Sequence, residues 1–103
     1  MLTIPLSNVP NQSFEFVYGE YIYSVTLKTF RDVVYGSVSI NDDPVIQSIR
    51  CVNRGWIIPY EAIYAGKGNF RFECEGSDYP NYENFGKSCF LRFYPYEEIN
   101  VQA

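Results

Sequence analysis

The stretch Ser13–Thr29, SFEFVYGEYIYSVTLKT, decides the fold. Phe14, Phe16 and Tyr18 alternate with Glu15 and Val17, the period of a strand with one buried face. Gly19-Glu20 is a two-residue break of the kind that closes a β-hairpin. The return segment then sets Tyr21, Tyr23, Val25 and Leu27 on one face and Ile22, Ser24, Thr26 and Lys28 on the other.

The pattern extends in both directions. Val33–Ile40 places Val34, Gly36, Val38 and Ile40 on one face, and Gly36 marks a bulge or a close approach. Asn41-Asp42-Asp43-Pro44 reads as a turn, so Val45–Val52 returns as a fourth strand. Trp56-Ile57-Ile58 reads as a short strand ended by Pro59, with Trp56 in the core, and Tyr60–Ala65 as at most one helical turn. Gly66-Lys67-Gly68-Asn69 reads as a tight turn before the alternating Phe70–Glu75, and Ser88–Tyr94 is the last strand. Upstream, residues 2–6 form an extended segment confined by Pro5 to an edge or a strand end. Residues 76–86 (GSDYPNYENFG) form an aromatic loop, and 96–103 a tail.

Composition agrees. Aromatics make up 18% of the 103 residues, with ten tyrosines and eight phenylalanines. Such residues fit a pleated, half-buried surface better than a helix. The expectation is an all-β chain: one domain spanning residues 1–103, a small antiparallel β-barrel or sandwich of about seven to eight short strands, with little or no helix.

Chemistry is constrained by what is missing. There is no histidine, so Ser-His-Asp and Cys-His arrangements cannot form. Gly66-Lys67-Gly68 precedes a strand and lacks phosphate-loop spacing. Glu73, Glu75, Asp78 and Glu83 are carboxylates that nothing in the pattern orders into an acid/base pair. The Asn41–Asp43 turn lacks the ligand set of a calcium loop. The three cysteines, Cys51, Cys74 and Cys89, match no zinc spacing. They read as structural, Cys74 and Cys89 facing the core as small hydrophobes, with reduced thiols suited to assembly in a cytoplasm. No catalytic residue, cofactor or metal is expected. The formal net charge of −4 argues against nucleic acid, although Arg50, Arg54, Lys67, Arg71, Lys87 and Arg92 could form a local basic face. No apolar run is long enough for a membrane helix, and the basic-then-apolar start of a signal peptide is absent.

A series of short motifs carries a resemblance. Ile4-Pro5-Leu6 is followed by Pro10–Phe14, Gly19 and Tyr21-Ile22-Tyr23. Pro44-Val45-Ile46 precedes Arg50-Cys51, Ile57-Ile58-Pro59 and Gly68–Phe72, and Tyr79–Gly86 (YPNYENFG) comes before Leu91. In order and spacing this series resembles the small baseplate plug family of contractile-tailed phages and prophages. The resemblance implies a non-catalytic virion component of the tail baseplate, assembled in the host cytoplasm. It would join or plug the hub and tail-tube region through contacts with hub, tube or other baseplate proteins, or with copies of itself. Small β domains make such contacts by edge-strand pairing and aromatic packing. The candidate contact residues are Ile4, Leu6, Tyr79, Tyr82, Phe85 and Tyr96, apolar positions in the terminal segments and the aromatic loop. The competing reading is a β-barrel module whose aromatic face stacks carbohydrate or single-stranded nucleic acid.

Overall fold

A computed structural model describes residues 1–59, 68–76 and 78–102, the last three of these by backbone only. Among these residues seven strands form two antiparallel sheets. β1 (Leu2–Ile4), β7 (Cys89–Pro95) and β6 (Gly68–Cys74) make a three-stranded sheet in the order β1-β7-β6. β2 (Asn11–Tyr18), β3 (Tyr21–Phe30), β4 (Val33–Ile40) and β5 (Asp43–Arg50) make a four-stranded meander. Among the described residues no ladder joins one sheet to the other, so of the two expected architectures the sandwich is the one formed.

Turn chemistry sets the meander. Gly19 takes the positive φ (62°) that the first central position of a II′ turn requires, and Tyr18 pairs with Tyr21. Arg31-Asp32 and Asn41-Asp42 each have positive φ at both positions, as type I′ turns demand. The Asn41 turn uses only two residues, so β5 starts at Asp43 rather than at Val45 and ends at Arg50 rather than at Val52. Gly36 serves both expected purposes. The β4–β5 register shifts beside it, and a Cβ there would lie 3.1 Å from Cys51 Sγ.

The interior is apolar and ring-rich. Tyr23, Val25, Leu27, Val34, Val38 and Ile40 face it from the meander, and Phe70, Phe72, Leu91 and Phe93 from the other sheet. The Phe93 ring lies 4.8 Å from Phe16, 5.1 Å from Tyr18, 5.4 Å from Tyr23 and 5.0 Å from Phe70. Burying each such side chain stabilises by roughly 1.5–3 kcal/mol.

Four local expectations are corrected. Trp56-Ile57-Ile58 is not a strand. Trp56 makes one bridge to Arg71 and is half-buried, while Ile57 and Ile58 are core. Buried Asn69 pins this segment: its Oδ1 accepts from Ile58 N–H (2.9 Å) and Phe70 N–H (2.7 Å), and its Nδ2 donates to Ile58 C=O (2.8 Å). Gly68 and Asn69 therefore open β6 instead of turning. A Cβ on Gly68 would meet Phe93 Cζ and Tyr94 C=O, each at 2.4 Å. The segment read only as a tail has regular structure: Tyr96–Gln102 forms a short helix, α1, and Glu98 accepts from the Met1 ammonium at 2.7 Å. Lastly, Cys74 and Cys89 face the core as expected but are joined as a disulfide, because they sit directly opposite in the β6–β7 register. The helical turn expected over 60–65, with Gly66 and Lys67, lies outside the described residues.

Candidate interaction surface

The aromatic loop is built from both ends. At its base the Cys74–Cys89 bond ties β6 to β7, and the Tyr79 carbonyl oxygen lies 3.2 Å from Cys89 Sγ. In its second half Tyr82–Asn84 forms one 3₁₀ turn, capped by Asn81 Oδ1 accepting from Glu83 N–H at 3.0 Å. Phe85 points inward and stacks on Phe72 at 5.4 Å. From the β1–β2 connection, Asn8 Nδ2 donates to the carbonyls of Tyr82 (2.9 Å) and Phe85 (2.8 Å). The loop is thus braced, and the ring it leaves outside is that of Tyr79.

The six candidates separate by burial. Ile4 (7% exposed) and Phe85 (2%) belong to the core. Leu6 and Tyr82 are half-buried and packed against it. Tyr96 is half-buried at the start of α1. Tyr79 stands 59% exposed. With Pro80 it forms one wall of an open groove of about 310 Å³. Residues 31–34 from the β3–β4 turn, Asp32 among them, and residues 50–53 after β5 form the rest. Val52 is itself exposed, and Phe30 is a further large apolar side chain exposed at this end. Arg31 stacks its guanidinium over Phe30, 5.2 Å from the ring centroid. An apolar floor rimmed by Arg and Tyr has the composition of a protein contact surface.

A second polar assembly was not visible in the sequence. On the outer face of the three-stranded sheet, the Arg71 guanidinium lies over the rings of both Trp56 (4.6 Å) and Tyr94 (4.8 Å), which touch each other edge-on. Arg71 Nε donates to Glu73 Oε2 at 2.8 Å, and Tyr94 O–H donates to the same oxygen. Arg92 Nε approaches Glu73 Oε1 at 3.0 Å, off-line for a hydrogen bond, while its Nη1 donates to Thr3 Oγ1 at 2.6 Å. Burial pushes the Glu73 carboxyl up, but hydrogen bonds from Tyr94 and Arg71 and the charges of Arg71 and Arg92 outweigh it. The carboxyl is held below its ordinary range. Burial, and then the bond to Glu73, push the Tyr94 phenol up. Burial pushes the Cys51 thiol to about 12, which leaves it protonated and inert at neutral pH. The alternation of Arg71 with Glu73, and of Arg92 with Tyr94, placed these groups on one face. The sequence did not show that β6 and β7 pair with Arg71 opposite Arg92, nor that Trp56 bridges to Arg71.

Of the basic face considered from sequence, Lys67 lies outside the described residues, and three of the arginines fall on different sheets. Arg50 lines the Tyr79 groove, whereas Arg71 and Arg92 share Glu73 on the other sheet. Among the described residues no three His, Cys, Asp or Glu side chains converge as a metal site, and no helix is long and apolar enough to cross a membrane.

A family model described as cyanophage baseplate Pam3 plug gp18 matches residues 1–96. The chain belongs to this baseplate plug family. A structural role in the phage tail baseplate follows from that membership, and with it a place in the virion tail. No curated protein matches the chain. The sheets do not close into the barrel that the competing reading expected.

Proposed function

We propose that the chain acts as a non-catalytic structural plug, held in the hub and tail-tube region of the baseplate by protein–protein contacts and assembled in the host cytoplasm. The observation that carries this reading is the family match across residues 1–96, nearly the whole chain. The geometry supports it with a braced, ring-bearing loop beside a shallow groove rather than a closed cleft with converging acids. In this reading Tyr79 is the contact residue. Leu6, Tyr82 and Tyr96 form its half-buried surroundings, and Ile4 and Phe85 act from the core by holding the loop and the N-terminal segment in shape.

The test is co-expression with the hub and tail-tube proteins of the same phage. Tyr79→Ala should leave the melting temperature within a degree or two, since the ring is exposed. It should also reduce co-purification with those proteins by about tenfold, the loss expected of a rim-to-core aromatic contact of more than 1 kcal/mol. Undiminished co-purification would remove Tyr79 from the contact. Failure of wild type to co-purify with either protein would remove the hub and tube assignment.

A further inference from the structure

The sheet edges are not alike. β5 carries Pro44, a positive φ at Ser48 (53°) and two register shifts against β4. The outer side of β6 is met by bridges from Asn53 and Trp56, with Arg54 and Ile57 N–H groups donating to Phe72 and Phe70. β1 is three residues long and is followed by Pro5. These are the usual devices that blunt an edge against strand addition. β2 has none of them. Its eight residues pair with β3 in unbroken register, it contains no proline or positive φ, and Glu15 is its one charge.

The register also says which backbone groups are free. Tyr18 and Tyr21 flank a two-residue turn, so they exchange both ladder hydrogen bonds. By alternation Gln12, Phe14 and Phe16 also point their N–H and C=O groups at β3. Those of Asn11, Ser13, Glu15 and Val17 point away from the sheet, and β2 has no other strand partner among the described residues. A row of evenly spaced outward donors and acceptors is met by water or by another extended backbone, and with the other edges blunted β2 is the edge a second copy can offer.

We infer that β2 pairs antiparallel with β2 of a second copy, about a two-fold axis through Phe14, joining two four-stranded sheets into one. Outward-pointing residues must face outward-pointing residues, which restricts the registers. The register centred on Phe14 sets Ser13 opposite Glu15 and Asn11 opposite Val17, and opposes no like charges. The neighbouring register centred on Glu15 would set that carboxylate against its own copy. The Phe14-centred register also places the two Phe14 rings together beside an open groove of about 310 Å³ between β1 and β2. Leu2, Ile4, Pro5, Phe14 and Phe16 give that groove its apolar wall, and no side chain of the described chain fills it. On the opposite face of the edge, exposed Val17 and Ile22 lie side by side. A net charge of −4 on each copy makes the pairing tighter as salt rises. This proposal does not depend on the hub and tube contacts proposed above.

Sedimentation of the purified chain over a concentration series tests it. Wild type should pass from monomer to dimer. Ser13→Pro removes an outward N–H without touching the β3 ladder, and should remain monomeric with its circular dichroism unchanged. Two charge variants test the register and serve even if the proline variant does not fold. Ser13→Lys, facing Glu15 twice across the axis, should tighten the dimer by roughly two- to thirty-fold, and Ser13→Glu should weaken it by a similar factor. A wild type that stays monomeric at the highest concentration, or a dimer indifferent to both charge variants, overturns the inference.

Discussion

Glu73 shows how much one side chain organises on this surface. It accepts from Arg71 and Tyr94 and lies beside Arg92, with its side chain 15% exposed. Its carboxyl has a lower pKa folded than unfolded. The stabilisation is therefore complete above the ordinary glutamate range and is lost as pH falls through the folded value. Glu73→Gln keeps an acceptor for Tyr94 but leaves Arg71 and Arg92 without their counter-charge. It should cost about 1.5–2 kcal/mol at pH 7, the low end of the range for hydrogen bonds to a charged group. As the wild-type carboxyl protonates, the two proteins should converge in stability. Urea denaturation of both at pH 7 and near pH 3 measures this. An equal gap at both pH values would mean that packing, not charge, is what the substitution removes.

Among the elements, the β6–β7 hairpin is the one whose connection carries the exposed ring, and the Cys74–Cys89 bond closes that connection. The cysteines are 15 residues apart, for which loop closure predicts a gain of up to about 3 kcal/mol. Cys74→Ser with Cys89→Ser should lower stability by up to that amount. Amide exchange should quicken mainly in residues 78–88, while β3 stays protected. Uniform loss of protection would show that the bond holds the whole fold rather than its loop. The strands here were legible in sequence because they alternate: Phe70, Phe72 and Cys74 on one side, Cys89, Leu91 and Phe93 on the other. The same phase already set Cys74 and Cys89 inward at facing ends of the loop, a pairing signal outweighed by the odd cysteine count and the expected compartment. The Trp56 segment and α1 were not legible. The first is ordered by a buried asparagine from β6, and the second packs its backbone against β6 and β7. Both depend on tertiary partners that local pattern does not encode.

For the molecule as a whole, the question is whether two unpaired sheets behave as one unit. Among the described residues no ladder pairs a strand of one with a strand of the other. The segment after β5 bonds by backbone to both, from Cys51 to Val34 and from Arg54 and Ile57 to β6, and the rest of the coupling is through side chains. Phe93 is the place where that coupling concentrates. It is fully buried on the three-stranded sheet, yet it touches Phe16, Tyr18 and Tyr23 of the other. Phe93→Ala should cost about 3–5 kcal/mol from lost burial and the cavity left behind. That is a large part of the 5–15 kcal/mol typical of a folded domain. Each sheet has its own reporter. Trp56, edge-on to Tyr94 at 5.5 Å, follows the three-stranded sheet by fluorescence, and the central amides of β3 follow the meander by exchange. If the rings bind the sheets into one cooperative structure, both reporters move to lower denaturant together and keep a common midpoint. Two midpoints, or a meander that keeps its protection when the fluorescence has gone, would mean that the four-stranded sheet holds itself together. The Tyr79 loop would then be carried by the weaker of two separately stable layers.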